Sequence, residues 1–374
     1  MHRKLSIFAT SSAKTLGERV IAEVNKIFED ADTDHRIILG KATETVFADG
    51  EVKVEIGESI RERDVYVLAS PPDPISRRLH IDLGDFLPPD TGQFSREDVF
   101  ALLHRFRKGS SSTIDNFRMF LAYIATLYRT DADRITAIPT FYPGSRQERP
   151  RGREPNMARL TAMELESAGA YRVMTLDIHS EAIEGFFRQC RFENLRAGRY
   201  LIEGFLAEYL SDHPTLENLS VVSPDAGGTE RARYFAKQLR APLVVSDKRR
   251  DHSKVHTVDE ITIIGEVRGR DVLIPDDMID TAGTIDKVAR AVRQQGGKDI
   301  YLLCTHALLN DPATERLRKL YDEGIMRLLI ASDTVHHGQA YLTCHPWLKE
   351  VSVAPLIARA IYNLNEGRSV SRLL

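Results

Sequence analysis

Asp276, Asp277 and Asp280 place three carboxylates within five residues, in Asp271-Val-Leu-Ile-Pro-Asp276-Asp277-Met-Ile-Asp280-Thr281-Ala282-Gly283-Thr284. Ionised carboxylates accept hydrogen bonds, and closely spaced ones suit the neighbouring hydroxyls of a sugar. Thr281, Ala282, Gly283 and Thr284 follow at once. Small residues let backbone N–H groups close around an anion, and a helix opening there adds its dipole in favour of a phosphate. Acids beside a phosphate nest suit a sugar phosphate: the carboxylates take ribose hydroxyls and the nest takes the 5-phosphate. The competing reading is an ordinary strand-to-helix turn with a polar mouth. Three acids, two threonines and a glycine in this order favour the sugar phosphate.

A second glycine-rich loop, Pro224-Asp225-Ala226-Gly227-Gly228-Thr229, also stands between a candidate strand and a candidate helix. It suits a pyrophosphate and its metal, with Asp225 able to meet Mg²⁺ directly or through water. Asp247-Lys248-Arg249-Arg250, continuing through Lys254 to His256, is basic and lacks apolar periodicity. It reads as a solvated face or as a flap that neutralises charge on a transferred phosphate, and its place beside both loops favours the flap. Asp177-Ile178-His179 at a strand end is either structural or a contact for a divalent cation or phosphate. Arg146, Arg149, Arg151 and Arg153 crowd a loop that follows another strand, where some can face phosphate.

The elements that must position these groups read as α/β. Candidate strands are 5–9, 52–56, 64–69, 135–138, 173–176, 219–223, 243–246, 272–274 and 300–305, and 258–264 leads back to the Asp276 motif. Helices fall between them. One carries Leu16, Val20, Ile21, Val24 and Ile27 on one face, and another, capped within 109–113, carries Phe117, Phe120, Leu121, Ile124 and Leu127. The helix after Thr284 buries Ile285, Val288, Ala289 and Val292. Five prolines punctuate 71–107, which reads as a surface insertion with its own short helix through Val99, Leu102, Leu103 and Phe106. No fixed-period repeat appears. Neither a GxGxxG fingerprint nor a GxxxxGK[ST] loop is present, which argues against a Rossmann dehydrogenase and a P-loop kinase.

The 374 residues suggest two domains or three, and 42% hydrophobic content is that of a globular protein. Lys plus Arg is 51 and Asp plus Glu is 54, a net charge of −3, so nothing calls for nucleic acid or an acidic membrane surface. Cys190, Cys304 and Cys344 are scattered, without disulfide or zinc spacing, which indicates a reducing compartment. No segment reads as a signal peptide or a membrane span, so a cytoplasmic protein is expected.

Taken together, these motifs resemble the ribose-phosphate pyrophosphokinase (phosphoribosyl pyrophosphate synthetase) family. The resemblance rests on Asp276–Thr284, Phe47–Glu51, Glu55–Ile60, Arg146–Glu148, Asp177–His179, Ser223–Gly228, Asp247–Arg250 and Val351–Leu356, which keep the family's order along nearly the whole chain. It implies two phosphoribosyltransferase-like α/β domains, each a mainly parallel sheet flanked by helices. The first, 1–196, would contribute to ATP binding and carry the 71–107 insertion. The second, 197–352, would hold both loops and the flap, while a C-terminal helix in 353–374 packs back on the first domain. By the resemblance, Phe47 lies against adenine, and Asp49, Gly50, Glu51, Arg146 and Gln147 bind ATP. His179 and Asp225 hold Mg²⁺, Lys248 and Arg250 are catalytic, and Asp225, Ala226, Gly227 and Gly228 form the pyrophosphate loop. Asp276, Asp277, Asp280, Thr281, Ala282, Gly283 and Thr284 bind ribose 5-phosphate. The family forms homodimers that build larger rings, often hexamers, with a neighbouring subunit completing the ATP site.

Three departures from the family stand out. Arg188-Gln-Cys-Arg-Phe192 is basic where members often carry acids, which leaves an auxiliary metal or ligand contact there open. Asp251 replaces a proline after the Lys-Arg-Arg run, and the 71–107 insertion is absent from ordinary members. Two rivals remain at this point. A phosphoribosyltransferase would share the Asp276–Thr284 motif but have no use for the Phe47 and Arg146 anchors. A non-catalytic synthetase-associated regulatory subunit would tend to degrade the flap or the ribose-phosphate loop, and both are intact here.

Overall fold

A computed structural model describes residues 4–31, 36–74, 111–249 and 260–373. The expected helix around 99–106, most of the 71–107 insertion and the flap from Arg250 to His256 lie outside the described residues. The chain divides into two compact units. One comprises Met1–Arg196, Thr334–His337 and Ala354–Leu374, and the other Ala197–Asp333 and Gly338–Val353.

The first unit runs β1 (Leu5–Ala9), α1 (Lys14–Asp30), β2 (Ala42–Val46), β3 (Val52–Ile56), β4 (Asp64–Ala69), α2 (Thr113–Arg129), β5 (Arg134–Pro139), α3 (Met157–Ala168), β6 (Arg172–Leu176) and β7 (Arg191–Leu195). Its sheet has five strands in the order β1-β4-β5-β6-β7, all parallel. Such a sheet is covered on both faces, so its strands read as unbroken apolar runs. β4 and β6 are buried along their whole length. β2 and β3 form a separate antiparallel hairpin. Ser112 caps α2 in a reciprocal capping box with Asp115, and the expected apolar face, Phe117 to Leu127, packs into the core. α1 buries Leu16, Val20, Ile21 and Val24 as expected, with Phe28 rather than Ile27 completing the face.

The second unit contains α4 (Gly198–Asp212), β8 (Leu219–Ser223), α5 (Thr229–Leu239), β9 (Leu243–Arg249), β10 (Glu260–Ile264), β11 (Asp271–Ile279), α6 (Gly283–Gln294), β12 (Ile300–Ala307), α7 (Ala313–Asp322), β13 (Met326–Ser332), α8 (Gln339–Cys344) and β14 (Leu348–Val351). α9 (Ala354–Asn365) returns to the first unit. The seven-stranded sheet runs β10-β9-β8-β11-β12-β13-β14, and only β10 is antiparallel to its neighbour. One face carries Ile285, Val288, Ala289 and Val292 of α6 over Val272, Ile274 and Leu302. Leu201 and Phe205 of α4 and Phe235 of α5 pack with Val221, Leu273 and Ile330 in a second cluster. The α/β architecture with parallel sheets flanked by helices is the one expected.

Two strands run at least three residues past the end read from the sequence. β11 does not stop at Ile274 but runs to Ile279, so Asp276 and Asp277 lie within the strand rather than after it. The cause is pairing: β12 continues beside it, with Asp276 opposite Cys304 and Met278 opposite His306. On the other side, the β8 ladder ends at Leu273, before Pro275, whose ring nitrogen has no hydrogen to donate. β9 likewise runs past Ser246 to Arg249, because β10 supplies an antiparallel partner that needs only backbone groups, with Lys248 opposite Ile261. Met326–Ser332 is a further buried strand that the sequence reading did not place.

Ile285 ties the start of α6, directly behind the Asp276–Thr284 loop, to the sheet. Ile285→Ala is expected to cost about 2–5 kcal/mol of stability. Thermal unfolding followed by far-UV circular dichroism checks this, and an unchanged melting temperature would contradict the packing described.

Candidate active site

β8 and β11 are hydrogen-bonded parallel neighbours, so the loops that leave them emerge side by side at the carboxyl edge of the same sheet. In the first loop, Asp225 is exposed and its Oδ1 accepts from Gly228 N–H at 2.8 Å, closing a tight turn at the start of α5. A Cβ on Gly228 would stand 3.3 Å from Pro224 Cδ and 3.4 Å from Ser223 Oγ, which explains why this corner carries glycine. Ala226 and Gly227 are exposed, leaving the loop's outer backbone accessible.

Near the carboxyl end of β11, ahead of the second loop, Asp276 Oδ1 accepts from Asp277 N–H at 2.9 Å. Arg231 Nη1 lies 3.1 Å from Asp276 Oδ1 and 3.2 Å from Asp277 Oδ1. Burial pushes the Asp276 carboxyl well above the usual carboxylate range. The charge of Asp277 and a hydrogen bond with it push the same way, and Arg231 opposes them. Asp280 Oδ1 accepts from Asn310 Nδ2 at 2.6 Å, and the Thr281 carbonyl accepts from Arg316 Nη1 at 2.8 Å. Ala282 takes the left-handed conformation at φ 57°, which turns the chain from strand into α6. The N-cap position of α6 is Ala282, whose side chain has nothing to cap with, so the helix start carries no capping bond from its own N-cap residue. Thr281, Ala282, Gly283 and Thr284 thus lead from the end of β11 into the first turn of α6.

Arg231 was not among the residues singled out from the sequence. A weak signal was available: it sits in the first turn of α5, where the helix dipole disfavours a cation. Lys248 lies on β9, the strand next to β8, and Arg250 lies outside the described residues.

The remaining candidates belong to the first unit. Phe47, Asp49, Gly50 and Glu51 form the turn of the β2–β3 hairpin. Phe47 N–H donates to the Glu51 carbonyl at 2.8 Å, Gly50 N–H to the Phe47 carbonyl at 3.0 Å, and Glu51 N–H to Asp49 Oδ1 at 3.1 Å. Gly50 has φ 91°, which favours glycine, and the Phe47 ring is largely exposed. Arg146 and Gln147 follow β5, and His179 follows β6. These strands are neighbours, so all three leave the same sheet edge, and all three are exposed. Asp177, just before His179, is held at φ 37° with Ile178 N–H bonded to Asn194 Oδ1.

The basic stretch after Phe187 is organised by an acid. Glu166 Oε1 accepts from the backbone N–H groups of Arg188, Gln189 and Cys190 at 2.7, 2.7 and 3.0 Å. Desolvation works against its charge, yet these three bonds and the Arg188 side chain hold the Glu166 carboxyl below the usual range. Among the described residues, one group has ligand atoms spaced for a metal, namely His213, Asp271 and Asp299. Asp271 begins β11, at the end opposite the loops, and it accepts from Tyr209 Oη at 2.8 Å. That group is separate from the site described above.

The Asp276 environment has a consequence for stability. Its folded-state pKa lies above the unfolded value of about 3.9. The stability linked to it is therefore present below about pH 3.9 and is lost as pH rises through the folded value. Asp276→Asn escapes that loss. The difference between its melting temperature and that of the wild type should move in the variant's favour as pH rises above about 3.9. A difference that moves in the wild type's favour as pH rises would refute the assignment.

Comparison with known proteins is consistent along the chain. Residues 5–82 and 93–169 match the family described as the N-terminal domain of ribose phosphate pyrophosphokinase. Residues 250–374 match the phosphoribosyl synthetase-associated domain. The first of these matches skips 83–92, which fall inside the expected insertion. Ribose-phosphate pyrophosphokinase 2 of Enterococcus faecalis is 34% identical over 372 residues, covering 99% of this chain and 96% of that protein. Ribose-phosphate pyrophosphokinase 1 of Listeria innocua is 34% identical over 371 residues, covering 99% and 97%. Among solved structures, the phosphoribosylpyrophosphate synthetase of Mycobacterium smegmatis aligns with a TM-score of 0.75 at 31% identity, covering 98% of this chain and 100% of that one. The chain belongs to the ribose-phosphate pyrophosphokinase family.

Proposed function

We propose that this protein is a ribose-phosphate diphosphokinase. It transfers the pyrophosphoryl group of ATP to the anomeric hydroxyl of D-ribose 5-phosphate, giving 5-phosphoribosyl 1-pyrophosphate and AMP. Family membership over the whole chain supports this. The observation that supports it in geometry is the adjacency of β8 and β11, whose continuations are the Asp225–Gly228 turn and the run Asp276–Thr284 that leads into α6. The anomeric oxygen attacks the β-phosphorus, the bond from that phosphorus to the α-phosphate oxygen breaks, and AMP leaves. Phosphoryl transfer of this kind needs little covalent help, so positioning and charge neutralisation carry the catalysis.

In this reading Asp276, Asp277 and Asp280 accept from the ribose hydroxyls, and Thr281, Ala282, Gly283 and Thr284 take the 5-phosphate. Asp225, Ala226, Gly227 and Gly228 receive the transferred group. Lys248 and Arg250 neutralise its charge. Phe47 stacks on adenine, and Asp49, Gly50, Glu51, Arg146 and Gln147 hold the rest of ATP. The exposed tip of the β2–β3 hairpin suits a turn that serves a neighbouring subunit, so the protein is read as a homo-oligomer, a dimer or a larger ring such as a hexamer.

Mg²⁺ is the implied ion. It is a hard cation that takes one or two carboxylates together with substrate phosphates, and the exposed, turn-held carboxylate of Asp225 fits that donor set. Asp225 and His179 are the proposed protein ligands, and the ion would supply charge neutralisation on the phosphates. Three free cysteines and, among the described residues, no helix long and apolar enough to cross a membrane accord with a cytoplasmic setting.

The test is direct. Incubation with ATP, Mg²⁺ and ribose 5-phosphate is expected to release AMP in step with phosphoribosyl pyrophosphate, and chelation by EDTA should stop it. Lys248→Ala and Asp276→Asn should each lower kcat by about 10²–10³-fold while far-UV circular dichroism stays unchanged. Absence of AMP, with nucleotide formed instead from a free base and phosphoribosyl pyrophosphate, would establish the phosphoribosyltransferase alternative. Absence of both activities would point to the regulatory subunit.

A further inference from the structure

Arg231 has no task in the scheme above, yet it joins the two loops that the scheme uses. It stands on the first turn of α5, the helix that opens directly from Gly228. Its side chain reaches to the next strand, where one nitrogen, Nη1, lies 3.1 Å from Asp276 Oδ1 and 3.2 Å from Asp277 Oδ1. The guanidinium is about three-quarters buried and the Asp277 carboxylate almost wholly so, with side-chain exposures of 27% and 4%. This is a built contact rather than a passing surface pair.

The chemistry of the pair explains why a cation is needed. Two carboxylates beside each other in a largely buried strand each disfavour the charge of the other. The group facing them from β12 is the thiol of Cys304, the register partner of Asp276, and it brings no positive charge. Burial first, and then Asp276 and Asp277, push that thiol well above its ordinary pKa. The Asp276 carboxyl is drawn toward its neutral form by burial and by Asp277, while Arg231 opposes this. A sugar diol bound by two carboxylates needs acceptors on both, and a protonated carboxyl has one oxygen committed as a donor.

We propose that Arg231 is a positioning residue for the acceptor sugar. It holds Asp276 and Asp277 together as a pair of acceptors for two ribose hydroxyls, and it ties that pair to the helix that carries the donor-phosphate loop. The inference rests on the functional reading above and deepens it. Arg231 acts through the two carboxylates and touches no reacting atom.

The experiment compares wild type with Arg231→Met, which keeps length without charge, and Arg231→Lys, which restores charge without the planar fork. It measures KM for ribose 5-phosphate and for ATP, the pH dependence of kcat/KM for ribose 5-phosphate, and calorimetric binding of ribose 5-phosphate. Arg231→Met is expected to raise KM and Kd for ribose 5-phosphate at least about tenfold, with KM for ATP within about twofold. The acid limb of kcat/KM should move to higher pH, because Asp276 then protonates more readily, and Arg231→Lys should recover part of both effects. Unchanged ribose 5-phosphate parameters would overturn the proposal. So would equal losses for both substrates with an unmoved acid limb, since that pattern belongs to a merely structural residue. If Arg231→Met does not fold, Arg231→Gln, which keeps a donor and loses the charge, decides by the same readouts. A wild-type protein that forms no AMP defeats the functional reading, and the calorimetric comparison then judges Arg231 alone.

Discussion

The parallel pairing of β8 with β11 is the constraint on which the candidate site depends. Parallel neighbours end at the same edge, so whatever follows each strand is delivered to one place. Here the two continuations are a glycine-cornered turn built on Asp225 and a run of carboxylates leading into α6. Each would be a commonplace strand-to-helix connection alone. Adjacency makes them a candidate donor loop and a candidate acceptor loop. The apolar face of α6 against Val272, Ile274 and Leu302 keeps the second loop from drifting away from the first.

Within that frame, electrostatics set the finer arrangement. Asp276 and Asp277 are consecutive residues of a largely buried strand, a placement that works against stability unless a counter-charge is near. Arg231 meets them from a helix that would not otherwise favour a cation in its first turn. Two unfavourable placements, an acid pair in a strand and a base at a helix N-terminus, are relieved by the same contact. Strain at a functional site of this kind is expected where binding takes precedence over local stability. The left-handed Ala282 belongs to the same pattern.

The first unit follows a similar logic with different parts. Its parallel sheet brings Arg146, Gln147 and His179 to one edge, and the adenine candidate Phe47 stands apart on an exposed hairpin turn. The basic stretch 188–192, which in sequence looked like a loss of acids, is shaped by Glu166, whose carboxylate gathers three successive backbone N–H groups. A carboxylate from another element therefore supports that loop, and its own side-chain charges say little about how it is held.

Much of the α/β fold and the family were legible in the sequence, as were the two strand-to-helix turns at 224–229 and 280–284, because each depends on local order. Unbroken apolar runs mark strands of covered sheets, helical periodicity marks the faces of α2 and α6, and glycines and threonines next to acids mark phosphate corners. The strand limits were not legible. Asp276 and Asp277 look like loop residues by polarity, and only the ladder to Cys304 and His306 makes them strand. Nor was Arg231 found, although its place in a helix's first turn was a hint, since its role is defined by residues 45 and 46 positions away. Order along the chain determines which chemistry can be offered. Which charges meet, and where a strand stops, is decided by pairing between distant segments, and that is settled only when the sheet is assembled.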